Sequence, residues 1–229
     1  ILKRPEISGR FFFECFYLLM KQSLSLLKKM MLLLCIYAIC RILFYAFNHT
    51  YFSEITFVQL IPYLFYGLRF DISTIVITNA LFIVFYLIPF PFRHNTSYQN
   101  VLSGMFYCIN AIAILLNCID LVYFRFTFKR TTADVFDLIA TGNDFVSLIP
   151  AFLSDYWYII FIWILLVGLL ILVYRTIERK QHADITAKFN YLLESGLFIL
   201  FIGMATIGYR GGWQLKPISI INAGEYGSA

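Results

Sequence analysis

Charge is scarce in this sequence. Only 14% of its 229 residues are Asp, Glu, Lys or Arg, where a soluble domain carries about 25%. Hydrophobic residues reach 61%, against about 45–50% in an average soluble chain, and mean hydropathy is +0.78. That balance excludes a soluble globular domain, a disordered tail and a fibrous repeat. Histidine is scarcer still: His49, His94 and His182 fall in three different connecting segments, which argues against a His-ligated metal. The five cysteines (Cys15, Cys35, Cys40, Cys108 and Cys118) form no CxxC, and four of them lie in hydrophobic runs. They read as small packing residues rather than a disulfide framework or a zinc site. Catalytic signatures are missing too: there is no GxSxG, HExxH, P-loop or GxGxxG, and no suitably spaced His/Asp/Ser set. No segment repeats with a period of about 20–50 residues, and none is of low complexity.

What the sequence has instead is long apolar runs and rings. Aromatic residues make up 19%, with 25 Phe and 16 Tyr, which suits a bilayer protein with rings at its interfaces. A membrane-spanning helix needs about 20 mostly apolar residues, within a range of about 17–25. Five segments meet that length: Met30–Phe47, interrupted by Arg41, then Asp71–Phe90, Val101–Phe124, Tyr156–Tyr174 and Tyr191–Tyr209. The fourth is the cleanest, with Tyr156, Trp157 and Tyr158 opening it and Tyr174 closing it as an aromatic belt. Three shorter stretches read as interfacial. Phe11–Met20 lies in the inner interface or leads into the first span, while Ile55–Leu68, with Pro62, and Phe145–Leu153, with Pro150, lie on the outer face. The expected fold is an all-α membrane protein: a bundle of five transmembrane helices with short interfacial helices on the outer face.

Lysine and arginine set the orientation. With the N-terminus inside, the cytoplasmic segments hold Lys3, Arg4, Arg10, Lys21, Lys28, Lys29, Arg93, Arg175, Arg179, Lys180 and Lys188. The outer side then holds Arg69, Arg125, Lys129, Arg130, Arg210 and Lys216. Eleven against six places the N-terminus inside and, after five spans, the C-terminus outside. The same bias accounts for the net charge of +5 without invoking nucleic acid, because the cations flank apolar runs and form no open basic face. Residues 1–29 read as a cytoplasmic or interfacial segment, 30–209 as the membrane domain, and 210–229 as the start of a linker to an exported domain. No cleavable signal peptide is expected.

Ionisable groups inside a membrane are costly, so each is a candidate functional group. They gather toward the outer half: Arg41 in the first span, Arg69 and Asp71 at the entrance of the second, and Asn117 and Asp120 late in the third. Arg125, Lys129 and Arg130 follow, and Arg210 sits just past the fifth span. The inner half offers little beyond Glu194. A small transporter or channel subunit needs polar groups through the whole thickness and discontinuous helices at mid-depth, and neither is expected here. Two readings stay open for Arg69 and Asp71: an interfacial ion pair with Asp71 as a helix N-cap, or cations holding an anionic headgroup. Two also stay open for the stretch 125–132. Its cations and a helix start at Thr131 or Thr132 suit a phosphate, or else Asp134 and Asp137 neutralise them in a packed loop over a short helix, Ala133–Ala140.

Three stretches carry a family resemblance: Gly67-Leu68-Arg69-Phe70-Asp71-Ile72-Ser73; Phe126-Thr127-Phe128-Lys129-Arg130-Thr131-Thr132-Ala133-Asp134-Val135-Phe136; and Arg210-Gly211-Gly212-Trp213-Gln214-Leu215-Lys216-Pro217-Ile218. In this order around five spans, the chain resembles the N-terminal membrane domain of the lipoteichoic acid synthase-like, sulfatase-related phosphoglycerol transferases, especially the Bacteroides-type forms. The resemblance implies a bacterial inner-membrane domain followed by an exported catalytic domain of the alkaline phosphatase superfamily. That domain carries a Thr nucleophile and a divalent metal (Mn, Mg or Zn), and moves a phosphoglycerol or related headgroup from a phospholipid. The chain itself is expected to hold no catalytic residue and no cofactor. Its expected partners are membrane phospholipid and its own exported domain. Arg69, Asp71, Asp120, Arg125, Lys129, Arg130 and Arg210 are the expected lipid-headgroup or domain-docking residues. The competing expectation is an inert membrane anchor of an exported hydrolase.

Overall fold

Backbone removed from water must satisfy its own hydrogen bonds, and long apolar runs do so as helices. The computed structural model describes residues 5–52, 57–128, 154–182 and 191–212, and among these every regular element is helical. The α-helices are α1 (Pro5–Phe47), α2 (Phe57–Thr78), α3 (Ala80–Leu87), α4 (Thr96–Thr127), α5 (Trp157–His182) and α6 (Tyr191–Arg210). Three segments are long and apolar enough to cross a membrane: Met20–Phe47, Thr96–Thr127 and Trp157–Arg179. A fourth crossing is possible if Ile61–Thr78 and Ala80–Leu87, bent by 62° at their junction, act as one span. The fifth expected span corresponds to α6, 20 residues long.

Of the two expectations for Phe11–Met20, the structure shows the lead-in to the first span and not a separate helix: α1 runs for 43 residues, and no glycine or proline interrupts it between Arg10 and Phe47. At about 1.5 Å per residue it is roughly 65 Å long, about twice the thickness of a bilayer's hydrocarbon core. Nor does a helix begin at Asp71, since α2 starts at Phe57 and carries the chain through Pro62, Arg69 and Asp71 without a break. The expected outer helix Ile55–Leu68 and the start of the second run are therefore parts of one element. Phe145–Leu153, Ala133–Ala140, Lys129 and Arg130 lie outside the described residues.

The break comes at Asn79, and local chemistry explains it. Thr74 and Thr78 donate their hydroxyls back to the carbonyls of Phe70 (2.9 Å) and Thr74 (2.8 Å), and the Asn79 amide donates to the Ile75 carbonyl (3.0 Å). Side chains that compete in this way for carbonyls four residues back bend helices. α3 then ends at a Pro89-Phe90-Pro91 turn, and Asn95 opens α4 by accepting the Ser97 amide at 3.0 Å.

Packing divides the helices into two groups. α1, α4 and α5 pack on one another, while α6 leans mainly on α2 and α3. α1 also meets α2, and α3 meets α4, along the seam between the groups. Leu33, Ile36, Phe82, Phe106, Ile114 and Leu121 are fully buried in the core. The end of the bundle where α1 finishes is called the far end here, and the end holding the 88–95 turn is the near end. Trp157 is 65% exposed at the far end, as an interfacial ring should be. Tyr174 is different: it is turned wholly inward and is not a belt residue.

Candidate functional site

At the far end two of the expected site cations, Arg69 and Arg125, serve helix termini. Arg69 donates Nε and Nη2 to the Gly211 carbonyl at 3.0 and 2.8 Å, and the Ser73 hydroxyl donates to the Tyr209 carbonyl at 2.6 Å. Gly211 and Gly212 have φ of 71° and 144°, so the chain leaves α6 through a left-handed turn that glycine tolerates. Arg125, exposed, donates Nη2 to the Phe47 carbonyl at 2.6 Å and caps α1. A cation at a helix C-terminus also meets the negative end of the macrodipole. Asn48 ties the same corner together, donating to the Phe44 (3.0 Å) and Leu121 (3.1 Å) carbonyls. Asp120 is buried in α4, and Arg210 sits partly exposed in the last turn of α6.

Asp71 is not an N-cap. It lies inside α2 and binds Arg41 of α1 at 2.5 Å, in a pair whose side chains are 21% (Arg41) and 13% (Asp71) exposed. Arg41 also donates to the Leu64 (3.2 Å) and Gly67 (2.8 Å) carbonyls. The guanidinium lies where a side chain at Gly67 would be: a Cβ there would fall 1.1 Å from Nη1. So Arg41, inside an apolar run, is matched by an acidic group one helix away.

At mid-depth, where the chain breaks, Asn79 and Asn110 exchange amide hydrogen bonds of 3.1 and 2.7 Å, and Asn110 also donates to the Phe106 carbonyl at 2.8 Å. Both asparagines are fully buried. Asn110→Leu is expected to cost about 1–3 kcal/mol, because it leaves the buried Asn79 Oδ1 without the Asn110 donor. Urea unfolding in detergent micelles measures this. Unchanged stability would mean that the backbone alone sets the bend.

The near end is richer in polar groups than the sequence suggested. Arg93 pairs with Glu194 at 2.9 Å, with side chains only 4% and 8% exposed, and so joins the 88–95 turn to the start of α6. Burial lowers the Arg93 pKa, and the Glu194 carboxylate opposes that shift. Ser103 and Tyr174 share a hydroxyl hydrogen bond of 3.1 Å, and Ser103 also reaches both Glu178 oxygens at 3.4 Å. Lys29, 0% exposed, points its ammonium at the rings of Tyr174 (4.1 Å), Tyr86 (4.6 Å) and Phe82 (5.9 Å). Its neighbour Lys28 is exposed, so the two adjacent lysines face opposite surroundings, one outward and one into the bundle.

Polar and charged side chains thus occur at the far end, at the α2–α3 break and at the near end of the bundle, and are not gathered at one end of it. A signal for this was present in the sequence. Ser25, Lys29, Leu33, Tyr37 and Arg41 recur every four residues, so they line one stripe of α1. Among the described residues no three His, Cys, Asp or Glu side chains come together in a way that could hold a metal ion. Comparison with known proteins finds nothing similar: no family model, no curated protein and no solved structure matches the chain.

Proposed function

We propose that this chain is the membrane domain of a sulfatase-like lipid headgroup transferase of the bacterial inner membrane. In this reading it has five spans, with the N-terminus cytoplasmic and the far end at the outer leaflet. It anchors an exported catalytic domain and positions the donor phospholipid, whose headgroup is phosphoglycerol or phosphoethanolamine. The divalent metal and the Thr nucleophile belong to that domain. The observation that carries the reading is the Arg69 clamp on Gly211, because it fixes where the chain leaves the last helix. A domain that follows is then held at a set height over the bilayer. Arg125 supports the headgroup role: one of its five N–H donors caps α1, and the exposed guanidinium has others to offer a phosphate.

The test is headgroup transfer from a labelled phospholipid by the full-length protein in proteoliposomes. The paired change Arg125→Glu and Lys129→Glu should depress transfer by about tenfold or more, the effect of losing roughly 1.4 kcal/mol of favourable contact. Membrane insertion should persist. Full activity in that variant would sink the headgroup role.

An inert anchor is the second reading, and one observation favours it: Arg69 and Arg125 already serve helix ends. Replacing residues 1–209 with an unrelated anchor of the same topology separates the two. Preserved lipid-dependent activity would leave only the anchor.

A further inference from the structure

We propose that the seam between the two helix groups is a proton path across the bundle, closed at rest by an apolar plug. The inference goes beyond the headgroup reading and does not depend on it. The α1 stripe carries it. Ser25 Oγ and Lys29 Nζ are buried with no oxygen acceptor at hydrogen-bond geometry among the described residues, Lys29 resting on aromatic faces, and the buried Tyr37 OH has Thr78 beside it. Buried polar groups are nearly always satisfied, and where protein offers no partner the usual one is internal water. Two such groups one turn apart, with Tyr37 two turns further along, set buried polarity on the bundle side of α1.

Partners extend the stripe in both directions. Tyr37 lies near Thr78 and Asp71, and Asp71 binds Arg41. Thr78 and Asn79 are hydrogen-bonded to each other at 3.1 Å, and Asn79 pairs with Asn110. This half leads from the far end to the helix break. On the near side, Lys29 faces Tyr86 of α3 and Tyr174 of α5, and the Glu178 carboxylate of α5 acts on it electrostatically. α4 contributes Ser103, which links the Tyr174 hydroxyl to Glu178. Glu178, partly exposed, is the exit.

Between the two halves polarity stops. Leu33, fully buried, takes the middle position of the stripe. Phe82, three residues beyond Asn79, packs in a tilted arrangement at 4.7 Å against Phe106, four residues before Asn110. Phe106 in turn packs at 4.9 Å on Tyr174. These side chains are the plug.

The chemistry of the lining selects the proton. The fixed cation at Arg41 repels a metal ion, and the carboxylates at Asp71 and Glu178 repel an anion, while Lys29 gives up its ammonium proton before it takes the next. Hydroxyl, amine and carboxyl groups can each exchange one proton for another. At each step one O–H or N–H bond breaks and one forms on the next lone pair. A proton arriving on Glu178 neutralises its carboxylate, and its departure restores it. The driving force is a transmembrane proton gradient or potential.

The experiment uses the full chain in phosphatidylglycerol/phosphatidylcholine vesicles with a trapped pH dye and a valinomycin-set potassium potential. Wild type should pass protons slowly. Leu33→Ala, which opens the plug, should raise the flux by about tenfold or more, as expected when roughly 1.4 kcal/mol is taken off a barrier. Adding Lys29→Met to Leu33→Ala should return it to the level of protein-free vesicles. Leu33→Thr serves as a second opening variant if Leu33→Ala does not give a monodisperse protein. A monodisperse opening variant without flux above protein-free vesicles overturns the proposal. So does flux that survives Lys29→Met, since leakage would then bypass the stripe.

Discussion

Arg93→Met is expected to destabilise the protein by about 3–5 kcal/mol, the cost of leaving one charge of a buried pair uncompensated. Glu194 is the charge left behind. It sits at the start of α6, and its other surroundings are too dry to replace a guanidinium at 2.9 Å. The pair itself need not be stabilising, because removing two charges from water costs about as much as their attraction returns. This gives the prediction its second half. Arg93→Met combined with Glu194→Leu should recover most of the loss, and the double variant should unfold within about 1 kcal/mol of the wild type, the usual scale for well-packed apolar replacement. Unfolding in micelles, followed by tryptophan fluorescence and far-UV circular dichroism, gives both numbers. If the double variant were as unstable as the single, Arg93 would be acting through its backbone-carbonyl contacts to Leu87 and Ile88, not through Glu194.

The second large effect is at Gly67. A methyl group there occupies the space of the Arg41 guanidinium, which must swing away and abandon Asp71 and two carbonyls. Gly67→Ala should cost about 2–4 kcal/mol, below the figure for a fully buried pair because this one is partly exposed. The sign should reverse in a background where the pair is gone. With Arg41→Met and Asp71→Leu already present, Gly67→Ala should stabilise by roughly 0.5–1 kcal/mol, the ordinary gain from replacing glycine inside a helix. An equal penalty in both backgrounds would show that the crowding comes from something other than Arg41.

The sequence made some of this legible and hid the rest for identifiable reasons. Helices over Val101–Phe124 and Tyr156–Tyr174 were readable because their apolar runs are long and uninterrupted, and the structure extends each by a few residues. Trp157 was readable as an outward-facing ring because it opens an apolar run, and it is exposed at the start of α5. Asp71 was misread because aspartate is a strong helix-start signal, whereas α2 runs through it and its partner Arg41 lies 30 residues earlier in the sequence. Asn79, the real break, gave a weaker local signal than Asp71 did. The inward turn of Lys29 and Tyr174 was hidden for a shared reason. Composition at a span's edge is the same whether a side chain faces lipid, water or the bundle, and only packing decides. Of the proposed headgroup residues, Arg69 and Arg125 proved to have structural duties that no spacing rule discloses.

The sequence distance between charge partners has a consequence for biogenesis. A charged side chain leaves the translocon for lipid reluctantly, at about 2.5–3.5 kcal/mol for a central Arg or Asp. Synthesis at about 5–20 residues per second brings Asp71 to Arg41 within roughly 1.5–6 s, soon enough for α1 and α2 to be released together as a hairpin. Glu194 follows Arg93 by about 100 residues, or roughly 5–20 s at the same rate. Throughout that interval the near end of the nascent bundle holds a buried-type arginine with no acid to meet it. The near end can therefore close on its ion pair only once α6 has been made, and a chain truncated before α6 is expected to leave Arg93 without Glu194.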